Sequence, residues 1–485
     1  MITNSLKRGA DMATKHQFLR EYIKAIREGN AAVFAGAGLS RSSGFVVWKE
    51  LLRPMAEDIG LNIDDEHDLT AVAQYVRNKS GNRAAINSAI LEAFSKNVEV
   101  NENVTILTRL PIYTYWTTNY DHLLEEGLLA ANRNSDVKID YKQLSYTKRD
   151  RDAIVYKMHG DVDHAADAVL TKDDYVQYDR NHPFFRSVLQ GDLISKTFLF
   201  IGFSFEDPNL DSILSQIRLL LDDHIRNHYC FMKRVKQTTE MTAEEFGYQK
   251  ARQDLREEDL KRYGIQTVFI DDYSEITQML REIEIAIRSN NVFISGSADF
   301  FNDNWTKVKI ERLAYKLSNK LVKEGFKVSS GFGVGIGSSV INGALDEIYG
   351  SKFKHMDEHM CLRPFPQGIM DEDERKAKWR KYRESILSEN GIAIFIMGNK
   401  KNYENEKVIA DGCLQEFEIA KEYNCSIIPI GCTGDAAAKI YDAVKEDVAH
   451  FSYLEHYMDL LGTESDIDKI VDSVIEIAKT QRIIQ

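Results

Sequence analysis

Residues 31–44 read Ala31-Ala-Val-Phe-Ala-Gly-Ala-Gly-Leu-Ser-Arg-Ser-Ser-Gly44. The opening run of small and apolar side chains is the pattern of a parallel strand buried on both faces. Gly36 and Gly38 then turn the chain into a serine-rich loop, and a helix is expected from about Trp48 through Leu51, Leu52 and Met55. Strand, glycine turn and helix in that order open a doubly wound sheet, whose turn brings backbone N–H groups to a phosphate beyond the first strand. Glycine suits the turn because a Cβ would block the close approach and resist positive φ. The same turn can also do no more than pack helix on strand, so the reading depends on the ends of the later strands.

Working outward, residues 12–29 predict a lead-in helix with Phe18, Tyr22, Ile23 and Ile26 at helical spacing, stopped by Gly29. Residues 66–130 read as mainly helical apart from one aromatic, β-branched strand at 112–121, which ends in Asn119-Tyr-Asp121. Further strands are expected at 153–158, running into His159-Gly-Asp161, and at 197–201, running into Gly202-Phe-Ser-Phe-Glu-Asp-Pro208. A helix with Leu210, Ile213, Leu214, Ile217 and Leu221 on one face follows. Strands at 229–232 and 266–270 flank a charged helical stretch at 234–262. After a boundary near 289–291 the pattern restarts. Strands are expected at 292–295, 326–329, 360–363, 392–397 and 426–430, with helices near 304–323, 338–349, 375–388 and 413–423. The chain therefore reads as α/β, with two domains at 1–288 and 289–485, each a mostly parallel Rossmann-like sheet covered by helices on both faces.

The composition agrees with a globular chain of two or three domains: 485 residues, 43% hydrophobic and 28% charged. A net charge of −13 argues against a general nucleic-acid or anionic-membrane surface. No apolar run approaches the roughly 20 residues of a membrane span, and no secretory signal is visible, so a cytoplasmic protein is expected. The five cysteines form no C-x-x-C pair, which disfavours a zinc ribbon, and no metal is expected.

Ligands of a parallel sheet sit beyond the carboxyl ends of its strands, so one ligand can meet residues 36–40, 119–121, 159–161 and 202–204 together. An imidazole there is well placed to exchange a proton near neutral pH. Gly36-Ala-Gly-Leu-Ser40, Thr118-Asn-Tyr-Asp121 and Met158-His-Gly160 together resemble the motif set of the SIR2 (sirtuin) family, in the usual order. The resemblance implies that NAD is the substrate, that no further cofactor is needed, and that the bond between nicotinamide and ribose is broken. By resemblance, His159 acts as base on the ribose hydroxyls, Asn119 positions the attacking water and Asp121 holds the nicotinamide carboxamide. Gly36, Ala37, Gly38 and Ser40 take the pyrophosphate, and Gly202 and Ser204 border the adenosine. Two departures bear on the outcome. The four zinc cysteines of deacylase sirtuins are missing, and Phe45-Val-Val-Trp48 stands where those enzymes carry Pro-Asp-Phe-Arg. Both point to water as acceptor and so to NAD hydrolysis. Deacylation or ADP-ribosyl transfer is the competing enzymatic reading, and a non-catalytic nucleotide-binding module the competing class.

In the second domain, 292–297 and 329–337 are two strand–glycine–helix turns, each able to seat a phosphate on a helix N-terminus. The domain resembles the SLOG nucleotide-binding family. Asp411-Gly-Cys-Leu-Gln-Glu416 stands where the related phosphoribohydrolases carry Pro-Gly-Gly-x-Gly-Thr-x-x-Glu, which favours a sensor over a second enzyme. SIR2 followed by SLOG is similar to the Thoeris antiphage effector family. That resemblance implies activation by a cyclic ADP-ribose isomer made by a partner TIR protein, a homo-oligomer (a tetramer by family), and NAD depletion that stops the infected cell. It places the activator on Gly296, Ser297, Arg383, Lys400 and Glu416, with Arg363 a nearby competitor.

Overall fold

The computed structural model describes residues 2–205, 207–221, 226–239, 241–352, 354–366, 368–402 and 404–482. The chain forms two compact units, Met1–Glu284 and Ile285–Gln485.

In the first unit seven strands make one parallel sheet: β1 (Ala31–Ala35), β2 (Thr114–Thr117), β3 (Ser135–Lys138), β4 (Ala153–Lys157), β5 (Thr197–Ile201), β6 (His228–Lys233) and β7 (Ile265–Ile270). Their order is β3-β4-β2-β1-β5-β6-β7, so the chain leaves β1 toward β2 and returns on its other side at β5. The crevice at that reversal is where a doubly wound sheet takes its ligand. All five residues of β1 and of β5 are buried, as their unbroken apolar runs predict. On one face Ala32 and Phe34 join Trp116, Phe198, Phe200 and the helices Phe185–Ser195 and Pro208–Leu221 in a single core. The lead-in helix Ile2–Arg27 packs Phe18 against Tyr22 and Tyr229, and the Tyr22 hydroxyl donates to Ala32 O at 3.0 Å.

Several boundaries differ from the sequence reading. The lead-in helix begins earlier than expected, and β2 is only four residues long because residues 118–121 already form the polar turn. The charged helix covers Ala243–Arg262 and not the whole stretch from 234; Thr242 starts it by accepting from the Glu245 amide. β3, unforeseen, is an edge strand of Ser-Asp-Val-Lys. The side chain of Leu221 and the whole of Glu206, both named above, lie outside the described residues.

The glycines at the crevice lock two strand ends together. Gly36 N donates to Ile201 O at 2.9 Å and Gly38 N to Gly202 O at 2.8 Å. A Cβ on Gly36 would stand 2.4 Å from Gly202 O, and one on Gly202 would stand 2.1 Å from Leu39 N. Gly202 also has φ +65°, a conformation that costs other residues about 1–2 kcal/mol. Gly202→Ala is therefore expected to lower the melting temperature by several degrees. Gly191→Ala is the control, because that helical glycine has open space around it and alanine there is expected to raise stability slightly. Equal melting of the two variants would contradict the locked crevice.

The second unit has its own parallel sheet of β8 (Asn291–Ser297), β9 (Lys327–Ser330), β10 (Met360–Leu362), β11 (Ile392–Met397) and β14 (Ser426–Ile430), in the order β10-β9-β8-β11-β14. An antiparallel pair, β12 (Asn399–Lys401) and β13 (Lys407–Ile409), follows β11 directly. The helices Lys307–Lys323, Asp435–Glu446 and Ile467–Gln481 bury Leu313, Leu317, Ile440, Val474 and Ile477 in the core around this sheet.

Candidate active site

Strands β4, β2, β1 and β5 are consecutive in the sheet, and their polar tips meet beyond its carboxyl edge. Asn119 Nδ2 donates to Gly36 O at 3.1 Å and to Ser40 Oγ at 2.9 Å, tying the tip of β2 to the glycine turn of β1. Asp121 is 4% exposed; its Oδ1 accepts from Leu123 N at 3.1 Å, while its Oδ2 is buried without a partner. Lys157 and Thr117 are register partners, so His159 and Asn119, each two residues on, leave the sheet side by side. The amides of Gly36 and Gly38 are committed to the end of β5, so these two glycines serve close packing; Ala37 is half-buried and Gly38 exposed. Ser40 is buried and engaged by Asn119. Ser204 is exposed, and its carbonyl accepts from Arg256.

His159 is 2% exposed, and neither ring nitrogen has a hydrogen-bond partner. Trp48 stacks on the imidazole with centroids 6.2 Å apart at 20°, and Tyr175 meets it edge-on at 5.5 Å. Asp207 Oδ2 lies 3.0 Å from His159 Nε2, an ion-pair distance reached off the line of a hydrogen bond. Burial works to raise the Asp207 carboxyl, but His159, the Leu210 amide and the Tyr175 hydroxyl outweigh it and hold the group below its ordinary value. Trp48, Tyr175 and Asp207 join the site although nothing in their sequence spacing shows that they reach the histidine.

Beneath the site Lys157, fully buried, donates to Tyr120 O at 3.1 Å, to Asp121 O at 2.7 Å and to Asp161, and lies 3.2 Å from Glu125 Oε1. One cation thus fixes the main chain on both sides of the unpartnered Asp121 oxygen. Burial works to raise the Asp161 carboxyl, yet hydrogen bonds from His122 and Lys157 hold it far below its usual range. Among the described residues, His122, Asp161 and Asp163 are the group with one metal-ligating atom each inside 4.8 Å. His122 Nε2 already sits 2.9 Å from Asp161 Oδ1, and Lys157 takes the other oxygen, so the group is an ion-pair network.

In the second unit Arg383 and Glu416 are buried together. Arg383 Nε donates to Glu416 Oε1 at 3.3 Å, Nη1 donates to Gln415 Oε1 at 3.1 Å, and Ser295 Oγ donates to Glu416 Oε2 at 2.6 Å. Burial pushes the Glu416 carboxyl up despite Arg383. The guanidinium lies 4.9 Å from the Phe365 ring and 5.8 Å from that of Trp379. Gly296 follows Ser295 on β8, where a Cβ would meet Ile396 O at 2.4 Å. Ser297 Oγ donates to Asn399 O at 2.9 Å, just before Lys400. Lys400 is half-exposed and paired with Asp411, whose neighbour Gly412 leaves room for Arg383: a Cβ there would stand 2.7 Å from Nη2. Of the five expected activator residues, Arg383 and Glu416 are in direct contact, Gly296 and Ser297 continue β8 past Ser295, and Lys400 pairs with Asp411, next to Gly412. Arg363 is turned to Ser385 at 2.8 Å and Glu389 at 2.7 Å.

Residues 113–262 match the SIR2-like domain family, and residues 275–481 match the Sir2- and TIR-associating SLOG family. Over 466 residues the chain is 43% identical to NAD(+) hydrolase ThsA of Bacillus cereus strain MSX-D12, covering 95% of this chain and 97% of that one. It is 40% identical over 480 residues to NAD(+) hydrolase ThsA of Enterococcus faecium, covering 96% and 98%. A shorter match, 26% over 215 residues, links it to Defense-associated sirtuin 2 of Bacillus subtilis, covering 42% of this chain and 21% of that one. With identity of this order along nearly the whole of both chains, and with both domain families in the same order, the protein belongs to the ThsA family of SIR2–SLOG proteins.

Proposed function

We propose that the first unit hydrolyses NAD+ to nicotinamide and ADP-ribose, and that the second unit switches this activity on when it binds a cyclic ADP-ribose isomer. The observation that carries the reading is a pair of buried polar atoms without partners at adjacent strand tips: Asp121 Oδ2 and His159 Nδ1. Such atoms are rare, because each one left unpaired is costly, and a ligand that supplies the partners accounts for them. Asp121 Oδ2 accepts from the nicotinamide carboxamide. Asn119 has both amide protons engaged and turns its carbonyl oxygen to the attacking water. The C1′–N bond breaks with its electron pair passing to nicotinamide, the water oxygen bonds to C1′, and the water's proton passes by way of the ribose hydroxyls to His159. Fixed dipoles around an oxocarbenium-like centre stabilise the developing charge. The loop of Ala37 and Gly38 borders the pyrophosphate, and Gly202 and Ser204 border the adenosine. Trp48 covers the face of His159, which supports water over a bulky acyl-lysine as acceptor.

The activator is the product of a partner TIR protein and sits on Arg383, Lys400, Glu416, Gly296 and Ser297. The active form is a homo-oligomer, a tetramer, in which activator binding opens the first unit's cleft; the near-complete burial of His159, Asn119 and Asp121 supports a closed resting state. Its consequence is depletion of NAD in the cytosol of a phage-infected cell. Nicotinamide release by the purified full-length protein, with and without each of a panel of cyclic ADP-ribose isomers, tests both halves. Turnover that rises with one isomer is expected. Binding of an isomer with NAD+ left intact would replace this reading with that of a nucleotide-binding module.

A further inference from the structure

The loop that leaves β5 takes a course that the sheet order does not require. In the order β4-β2-β1-β5, three strand spacings separate β5 from β4, about 14 Å. Asp207, six residues past the end of β5, nevertheless stands 3.0 Å from His159, two residues past the end of β4. The loop therefore crosses over the tips of β1 and β2, helped by positive φ at Gly202 and Phe205. Its carboxylate is held from both sides. Oδ1 accepts from Asn209 N at 2.9 Å and Leu210 N at 3.0 Å, and Oδ2 accepts from the Tyr175 hydroxyl at 3.0 Å.

We propose that Asp207 is the positioning residue of the NAD-cleaving site, holding His159 in place and stabilising the positive charge that the imidazole acquires when it takes up a proton. The proposal rests on the reading of His159 as the base. The groups that face the imidazole are Trp48 from its helix, Tyr175 and His182 from the stretch after β4, and Asp207. Asp207 alone among them supplies a negative charge, and its depressed carboxyl keeps that charge in place through the neutral range. It touches no reacting atom itself. Each step balances without a further reactant: the proton moves from the attacking water to His159, Asp207 stays ionised throughout, and the proton leaves to solvent after nicotinamide.

The test is steady-state NAD+ hydrolysis by the full-length protein with the activating cyclic ADP-ribose isomer, comparing wild type, Asp207→Asn and Asp207→Glu across pH. Asparagine keeps the shape and can still accept from the two amides, so the fold is expected to persist. Asp207→Asn should lower kcat by about 10²-fold or more while KM changes little. Asp207→Glu should recover part of kcat. Wild-type kcat in Asp207→Asn would overturn the assignment of Asp207 while leaving NAD hydrolysis standing. A loss confined to KM, or one that follows a lowered melting temperature and is not recovered by glutamate, would also overturn it. A wild type inactive with every isomer would overturn the parent reading, and this one with it.

Discussion

NAD+ turnover is expected to fall by about 10²–10⁴-fold in both His159→Ala and Asn119→Ala, the range for loss of a proton-transfer group at a preorganised site. The two variants should differ in stability, and that difference checks the assigned geometry. The His159 side chain makes no hydrogen bond, so its removal breaks none. What it loses is the stacking of Trp48 and the edge contact of Tyr175, with ion-pair contact to Asp207. Aromatic pairs of this kind contribute about 0.5–1.5 kcal/mol each, so a modest fall in melting temperature is expected. Asn119 makes two hydrogen bonds, to Gly36 O and Ser40 Oγ, that hold the glycine turn to β2. Each contributes about 0.5–1.5 kcal/mol, and Ser40 would be left buried with its hydroxyl unmatched. Asn119→Ala should therefore melt at or below His159→Ala. Nicotinamide release and thermal unfolding on the same preparations check both points. A folded His159→Ala protein with wild-type turnover would remove the histidine from the mechanism.

The strand tips were legible because their chemistry is written in contiguous residues. β1 and β5 announce themselves as unbroken apolar runs ending in glycine, and Asn119-Tyr-Asp121 and His159-Gly-Asp161 follow strands of clear character. What the sequence could not show is reach. Asp207 belongs to a different strand from His159 by every local criterion, and only the course of the loop brings them within 3.0 Å. Trp48 reads as the first turn of an amphipathic helix, and that helix does exist at Trp48–Asp58 with Leu51, Leu52 and Met55 buried; its stacking on the imidazole depends on the helix's angle. Lys157 looks like the polar end of a strand and is fully buried, because two carbonyls and two carboxylates receive it. β3 was missed because Ser-Asp-Val-Lys has one apolar residue; its buried charges Asp136 and Lys138 pair with each other at 3.0 Å. The glycine turn of the crevice reads as a phosphate seat, and two of its glycines spend their amides on joining β1 to β5.

Activation by the cyclic nucleotide is expected to fail when Arg383 loses its charge, and the surroundings of Arg383 dictate how that must be tested. Arg383→Ala alone would leave Glu416 buried beside Ser295 with no cation, and breaking such a pair costs about 3–5 kcal/mol. A protein destabilised to that extent could lose activation for reasons unconnected with the ligand. Arg383→Ala combined with Glu416→Gln removes both charges, keeps the Ser295 hydrogen bond available, and should melt closer to wild type than the single variant. Because it presents neither the guanidinium nor the carboxylate, it should need at least about 100-fold more isomer for half-activation, the loss of two charge-assisted contacts of 1.5–3 kcal/mol each. Lys400→Ala supplies the complementary case. Lys400 is half-exposed and its pair with Asp411 is a surface contact, which contributes no more than about 1 kcal/mol to the fold. Its melting temperature should stay at the wild-type value while the isomer requirement rises about tenfold. Arg383→Lys separates charge from shape. It keeps the cation but not the planar fork that lies against Phe365 and Trp379, so it should rescue melting better than activation. Half-activation concentrations from NAD+ turnover, set beside the melting temperatures, decide the matter. If the Arg383→Ala, Glu416→Gln protein responds to the isomer as wild type does, the activator does not sit on this buried pair.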